Sequence, residues 1–179
     1  MTAAVLVACG TAGAEPGDPG TPASQGAGAR PPGWKPLPSI ATAAGDAARA
    51  DGVAIDRVDA WGEPAVGCYA VWLTLHGGAA GAPALAEQVL GSFNAAGGSG
   101  QGISLGELAR PSGPEGVLAF AFTRPPYHGR VRAHLGNGRI AATACFGNQR
   151  EPLACDRACA RVLDGGSQEA PGTARGKAS

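Results

Sequence analysis

The chain has 179 residues and carries 14 basic and 14 acidic side chains, so its net charge is zero. That balance argues against nucleic-acid binding, where an excess of clustered positive charge is expected, and the length suits one domain with a core of its own. No run approaches the ~20 apolar residues of a transmembrane helix, so the expectation is an anchored or soluble protein rather than one with a membrane-crossing helix.

The first readable segment is Leu6-Val7-Ala8-Cys9, followed by Gly10. Residues 3–8 are apolar, and Ala8 is the small residue expected before a cut. The tetrapeptide resembles the lipobox of bacterial lipoproteins, where a signal peptide is removed ahead of a cysteine that becomes lipidated. The resemblance implies export, lipidation of Cys9 and residence in the bacterial cell envelope, facing the periplasm or exposed at the surface. A secretory leader also needs a basic start and an apolar stretch of about 7–15 residues. No Lys or Arg precedes Cys9, so either a longer leader lies upstream of Met1 or the match reflects an Ala/Val-rich segment. Residues 1–9 are therefore read as a truncated leader and lipobox.

Residues 10–38 hold seven of the fifteen prolines and many glycines. Such a segment buries too little apolar surface to offset its ordering entropy, which predicts a disordered tether. Residues 166–179, rich in small and polar side chains, are predicted to be a disordered tail. Between them, residues 39–165 form the predicted globular domain.

Within the domain, Ser39 is placed to cap a helix that runs to about Ala50, with Gly52 ending it. A strand follows over Val53–Ala60, broken by Trp61-Gly62-Glu63-Pro64. Gly67–Leu75 is the clearest strand; Tyr69, Val71, Leu73 and Leu75 share one face, and Cys68, Ala70, Trp72 and Thr74 the other. Both faces are largely apolar, which predicts a central strand covered on both sides. Pro83 suits the first turn of a helix whose stripe is Leu85, Val89, Leu90 and Phe93. Strands are expected at Ile103–Leu108 and Val117–Thr123.

The next hairpin can be registered residue by residue. Asn137-Gly138 is the two-residue turn favoured where both positions need positive φ. It sets Leu135 opposite Ile140, Ala133 opposite Ala142 and Val131 opposite Ala144, all on one apolar face. Arg130, Arg132 and His134 fall on the other, beside Ala141, Thr143 and Cys145. The last element is a helix from Pro152-Leu153 to Leu163, with Cys155, Cys159 and Val162 on one stripe and Gly165 stopping it.

Setting Cys9 aside leaves Cys68, Cys145, Cys155 and Cys159. An even set in an exported domain suggests disulfides. Cys155 and Cys159 lie four apart on a helix, where disulfide geometry is hard to reach. The favoured arrangement has Cys68 and Cys145 each bonding one of the helical pair. The rival is a zinc site made of the same thiolates, which would suit a cytosolic protein better.

The element order (helix, two strands, helix, strand, strand, hairpin, helix) predicts an α+β domain with a mainly antiparallel sheet and helices packed on it. Over Val53–Leu163 that order resembles the PsbP-like α/β/α sandwich of small exported lipoproteins. The resemblance implies a fold and carries over no functional residue.

No HExxH or P-loop pattern occurs, and the single GxSxG match, Gly102-Ile103-Ser104-Leu105-Gly106, opens an expected strand and does not sit at a strand-to-helix elbow. The loop Gly97–Gly102 is glycine-rich but neither follows a strand nor opens a helix. A Cys145–His134 nucleophile pair is conceivable on the polar hairpin face. Arg124, Arg130, Arg132 and Arg139 concentrate on the hairpin and its approach, where they could meet an anion or an acidic partner or act as the charged, solvated edge of a sheet. The polar loop Gly147–Pro152 could close the structure locally or bind a ligand, and Trp61 and Tyr127 could be recognition aromatics or packing residues. The expected function is that of a non-enzymatic envelope lipoprotein with no cofactor, contacting an envelope protein or an anionic ligand. The alternative is a small exported enzyme or a cysteine-based metal-binding module.

Overall fold

A computed structural model describes residues 30, 32–50, 53–96, 103–148 and 152–165. The chain forms β1 (Lys35–Pro36), α1 (Pro38–Ala50), β2 (Ile55–Glu63) and β3 (Cys68–His76), with a 3-10 turn at Pro64–Val66 between the last two. It continues through α2 (Ala82–Ala96), β4 (Ser104–Ala109), β5 (Gly116–Arg124), β6 (Tyr127–Gly136), β7 (Arg139–Asn148) and α3 (Pro152–Gly165). The strands make one seven-stranded sheet in the order β1-β2-β3-β7-β6-β5-β4, with every neighbouring pair antiparallel. This is the α+β class that the element order predicts.

Period-2 alternation sorts each strand's side chains to two faces, and each face has its own core. On one face α1 and α2 cover Val71, Leu73, Leu118, Phe120, Val131, Ala133, Ile140 and Phe146. On the other, α3 covers Cys68, Ala70, Trp72 and Cys145. The sheet is thus the middle layer of an α/β/α sandwich. β3 lies third in the order and is apolar on both faces because both are covered, as its sequence requires.

The β6–β7 register matches the turn argument: Leu135 pairs with Ile140, Ala133 with Ala142 and Val131 with Ala144. Asn137 has φ 50° and Gly138 φ 68°, so both turn residues adopt the left-handed conformation that Asn-Gly favours.

Four local expectations need correction. The strand expected over Val53–Ala60 is not regular, because the register shifts between Ile55 and Arg57. That bulge changes the phase, so that Ile55 and Val58, three apart, both pack on the α1/α2 core. Trp61-Gly62-Glu63 does not break the strand but completes it, and Pro64 starts the turn. Ser39 does not cap α1; the helix begins at Pro38, whose missing N–H and fixed φ suit a first turn.

The fourth correction concerns the tether, whose expected end at residue 38 runs into the fold. Trp34 is only 4% exposed in the core beneath α3, and Lys35 and Pro36 pair with Gly62 and Trp61. One large aromatic in a Pro/Gly segment provides the burial that the segment's average composition lacks. Among the described residues no helix is long and apolar enough to cross a membrane.

Candidate functional site

The four cysteines of the domain gather beneath α3. The helix turns Cys155, Ala158, Cys159, Val162 and Leu163 onto the sheet, each at most 8% exposed, because spacings of three and four residues repeat along one helical face. From below, β3 supplies Cys68 and β7 supplies Cys145, on the same side of the sheet. Cys145 and Cys159 form a disulfide, with Cα atoms 5.3 Å apart. The bridge ties the last helix to a central strand.

Cys68 and Cys155 are thiols, both buried. The Cys155 thiol donates to the Phe146 carbonyl at 3.5 Å, and its sulfur lies 3.8 Å from Cys159 Sγ. The Cys68 side chain and the Tyr69 backbone also act on the Cys155 thiol. Burial first, then the contact with Cys68, pushes the Cys155 thiol far above its ordinary range. A group so held stays protonated and is a poor nucleophile. The conceivable Cys145–His134 pair is ruled out, since the Cys145 sulfur is bonded to Cys159. Those two residues also lie apart along the sheet: Cys145 pairs with Arg130, whereas His134 pairs with Ala141.

With one pair of sulfurs joined, the zinc alternative is left with two thiols. Among the described residues, no group of three or more His, Cys, Asp or Glu is arranged to hold a metal ion.

The four arginines do not form one ribbon. Arg124 ends β5 beside the β5–β6 turn, whereas Arg139 begins β7 after the Asn137-Gly138 turn. The length of β6 separates them, on the order of 30 Å for a strand of this size. Arg130 and Arg132 do share the α3 face, as two-residue spacing demands. Arg130 is open to solvent, its side chain 61% exposed, and lies 3.3 Å from Glu107. Arg132 is more covered; it lies 3.7 Å from Asp164 in the last turn of α3, and its Nε is buried with no hydrogen-bond partner among the described residues. Arg130, not Arg132, therefore stands at the open end of this face.

The histidines are dispersed. His76 Nε2 is 2.6 Å from Asp56 at the β2 bulge, and His128 Nε2 is 3.4 Å from Asp156 at the start of α3. His134 is held below its ordinary value by partial burial and then by neighbouring Arg132. Trp61 packs edge-on against Trp72 with centroids 4.4 Å apart, and Tyr127 packs edge-on against Phe146 at 5.9 Å. Both aromatics therefore serve packing. A shallow recess at the Asn137-Gly138 end is lined by Gly78, Gly81, Pro114, Glu115 and Asn137; Glu115 is the ionisable group there. Cys9, the loop 97–102 and Gln149–Glu151 lie outside the described residues.

No protein-family model matches the chain, and no curated protein matches it either.

Proposed function

We propose that this chain is a non-enzymatic binding domain of a bacterial cell envelope, exported and held at a membrane by a lipidated Cys9. The observation that carries the reading is the Cys145–Cys159 disulfide beneath α3. Structural disulfides form and persist in oxidising, exported environments and are rare in the cytosol. The Leu6-Val7-Ala8-Cys9 segment supports the same address independently. The Pro/Gly stretch after Cys9 would set the domain off from the bilayer.

A binding role rather than a catalytic one is supported by the state of the reactive groups. The four described cysteines are bridged or buried, with the Cys155 thiol held protonated. The surface that best suits a partner is the part of the sheet that α3 leaves uncovered around Arg130. There an exposed guanidinium would meet an anionic group on an envelope protein or ligand.

The test is a membrane-partition assay on the chain carried behind an export leader, against the same chain with Cys9→Ser. The parent is expected in the membrane fraction with incorporated fatty acid, and the variant in the soluble fraction without it. Equal partition of the two sinks the proposal.

A further inference from the structure

The two cysteines outside the bridge meet under α3, and the sheet register explains how. Cys68 on β3 lies directly across from Gly147 on β7, and opposed residues on one face of an antiparallel pair hold their Cβ positions about 4.5–5.5 Å apart. Gly147 has no side chain, and Cys155 fills the space. A Cβ on Gly147 would lie 2.6 Å from Cys155 Sγ and 2.9 Å from Cys155 Cβ. Cys155 therefore stands where a cross-strand neighbour of Cys68 would project. The Cys68 side chain accordingly acts on the Cys155 thiol, helping to hold it protonated.

We propose that Cys68 and Cys155 are the site of a second disulfide, made by a thiol–disulfide oxidant, which joins α3 to β3 as the first bridge joins it to β7. One protein thiol, deprotonated, attacks a sulfur of the oxidant's disulfide and expels the other oxidant sulfur as a thiolate. The second protein thiol then loses its proton and attacks the mixed disulfide, expelling the remaining oxidant sulfur. Two protein thiols lose two electrons and two protons and gain one S–S bond. The oxidant's S–S bond is reduced to two thiols. In the folded dithiol form both residues are only 1% exposed, so exchange belongs to the stage before α3 docks.

Other pairings fit worse. Cys145 stands two residues along β7 from Gly147, so it is a diagonal neighbour of Cys68. Diagonal positions lie about 7–8 Å apart, at or beyond the Cα separation a disulfide spans. Cys155 and Cys159 share one helix at a spacing whose parallel side chains oppose the required dihedral. The export reading enters only as the source of an oxidant in the cell, so the test supplies its own.

The Cys9→Ser chain is reduced, unfolded and refolded in a buffer of oxidised and reduced glutathione. Its thiols are then titrated in denaturant and its peptides mapped. No titratable thiol and a peptide linking Cys68 to Cys155 are expected. With Cys68→Ser or Cys155→Ser added, one thiol is expected in each, with Cys145–Cys159 retained. Two thiols in the refolded monomer, or a map that joins Cys155 to Cys159 or Cys68 to Cys145, overturns the proposal. A second variant guards against misfolding of the serine mutants: Cys145→Ala/Cys159→Ala removes the competing sulfurs, and Cys68 and Cys155 are still expected to oxidise to zero thiols. Two thiols in that variant overturn it as well. Because this assay contains neither leader nor membrane, it can fail while Cys9 partition succeeds, and the reverse.

Discussion

Arg130 and Arg132 sit two positions apart on one strand, share a face and have different surroundings. Arg130 and Glu107 have side chains 61% and 72% exposed, and ion pairs this open contribute about 0–1 kcal/mol. Arg132 is 34% exposed beside Asp164, with its Nε buried. Reversing the first charge exchanges a weak attraction for a weak, solvent-screened repulsion. Reversing the second sets a carboxylate in a partly covered site facing another carboxylate, which is costly without a paired donor. Urea unfolding should therefore show Arg130→Glu within about 0.5 kcal/mol of the parent and Arg132→Glu lower by about 1–3 kcal/mol. Equal effects would mean that α3 does not cover the Arg132 end of the face. If Arg130 meets an anionic partner, Arg130→Glu removes that binding while the melting temperature holds.

At the level of elements, α3 depends on its sulfur contacts more than the other helices do. Its buried stripe is short and rich in cysteine and alanine, Cys155, Ala158 and Cys159 preceding Val162 and Leu163. It therefore buries less apolar area per turn than α2, which supplies Leu85, Leu90 and Phe93. The Cys145–Cys159 bridge spans a sequence separation of 14, and a loop of that length contributes about 3 kcal/mol. The Cys145→Ala/Cys159→Ala variant should lose about 2–4 kcal/mol in urea unfolding. Its hydrogen exchange should speed up in α3 before it does in β5 and β6. An unchanged midpoint would show that packing alone docks the helix. Elsewhere an element's local chemistry decides its geometry: the bulge in β2 brings Ile55 and Val58 to one core, and the Asn137-Gly138 turn fixes the β6–β7 register.

For the whole molecule, the sandwich closes only when segments distant in sequence meet. β3 pairs with β7, about seventy positions later, and joins the β2–β3 hairpin to the β4–β7 meander. Trp34 then seals the α3 side from outside the predicted domain, 4% exposed among Trp72, Cys68 and the α3 stripe. A chain begun at Ser39 lacks that indole and the β1 pairing. Against a chain begun at Arg30, it should be less stable by at least the loss typical of a buried Trp, about 3–5 kcal/mol. Coincident urea transitions for the two would show that the domain starts where its composition changes, not where its core closes.

The amino-acid sequence alone determined the class, the mainly antiparallel sheet, the three helices, the six longer strands and the β6–β7 register. Each follows from neighbour-scale physics: period-2 and period-3.6 burial, proline and glycine stereochemistry, and a turn that needs two positive φ values. It also singled out Cys68, Cys145, Cys155 and Cys159, because an even set of cysteines after Cys9 is a local count. Only the tertiary structure decided that Cys145 bonds Cys159, since that depends on where α3 docks against β7. Tertiary contacts likewise divided the arginines into open and covered, brought Trp34 into the core and shifted the phase of β2. In each of these cases the deciding partner lies far along the chain, and local periodicity carries no information about which distant surface will arrive.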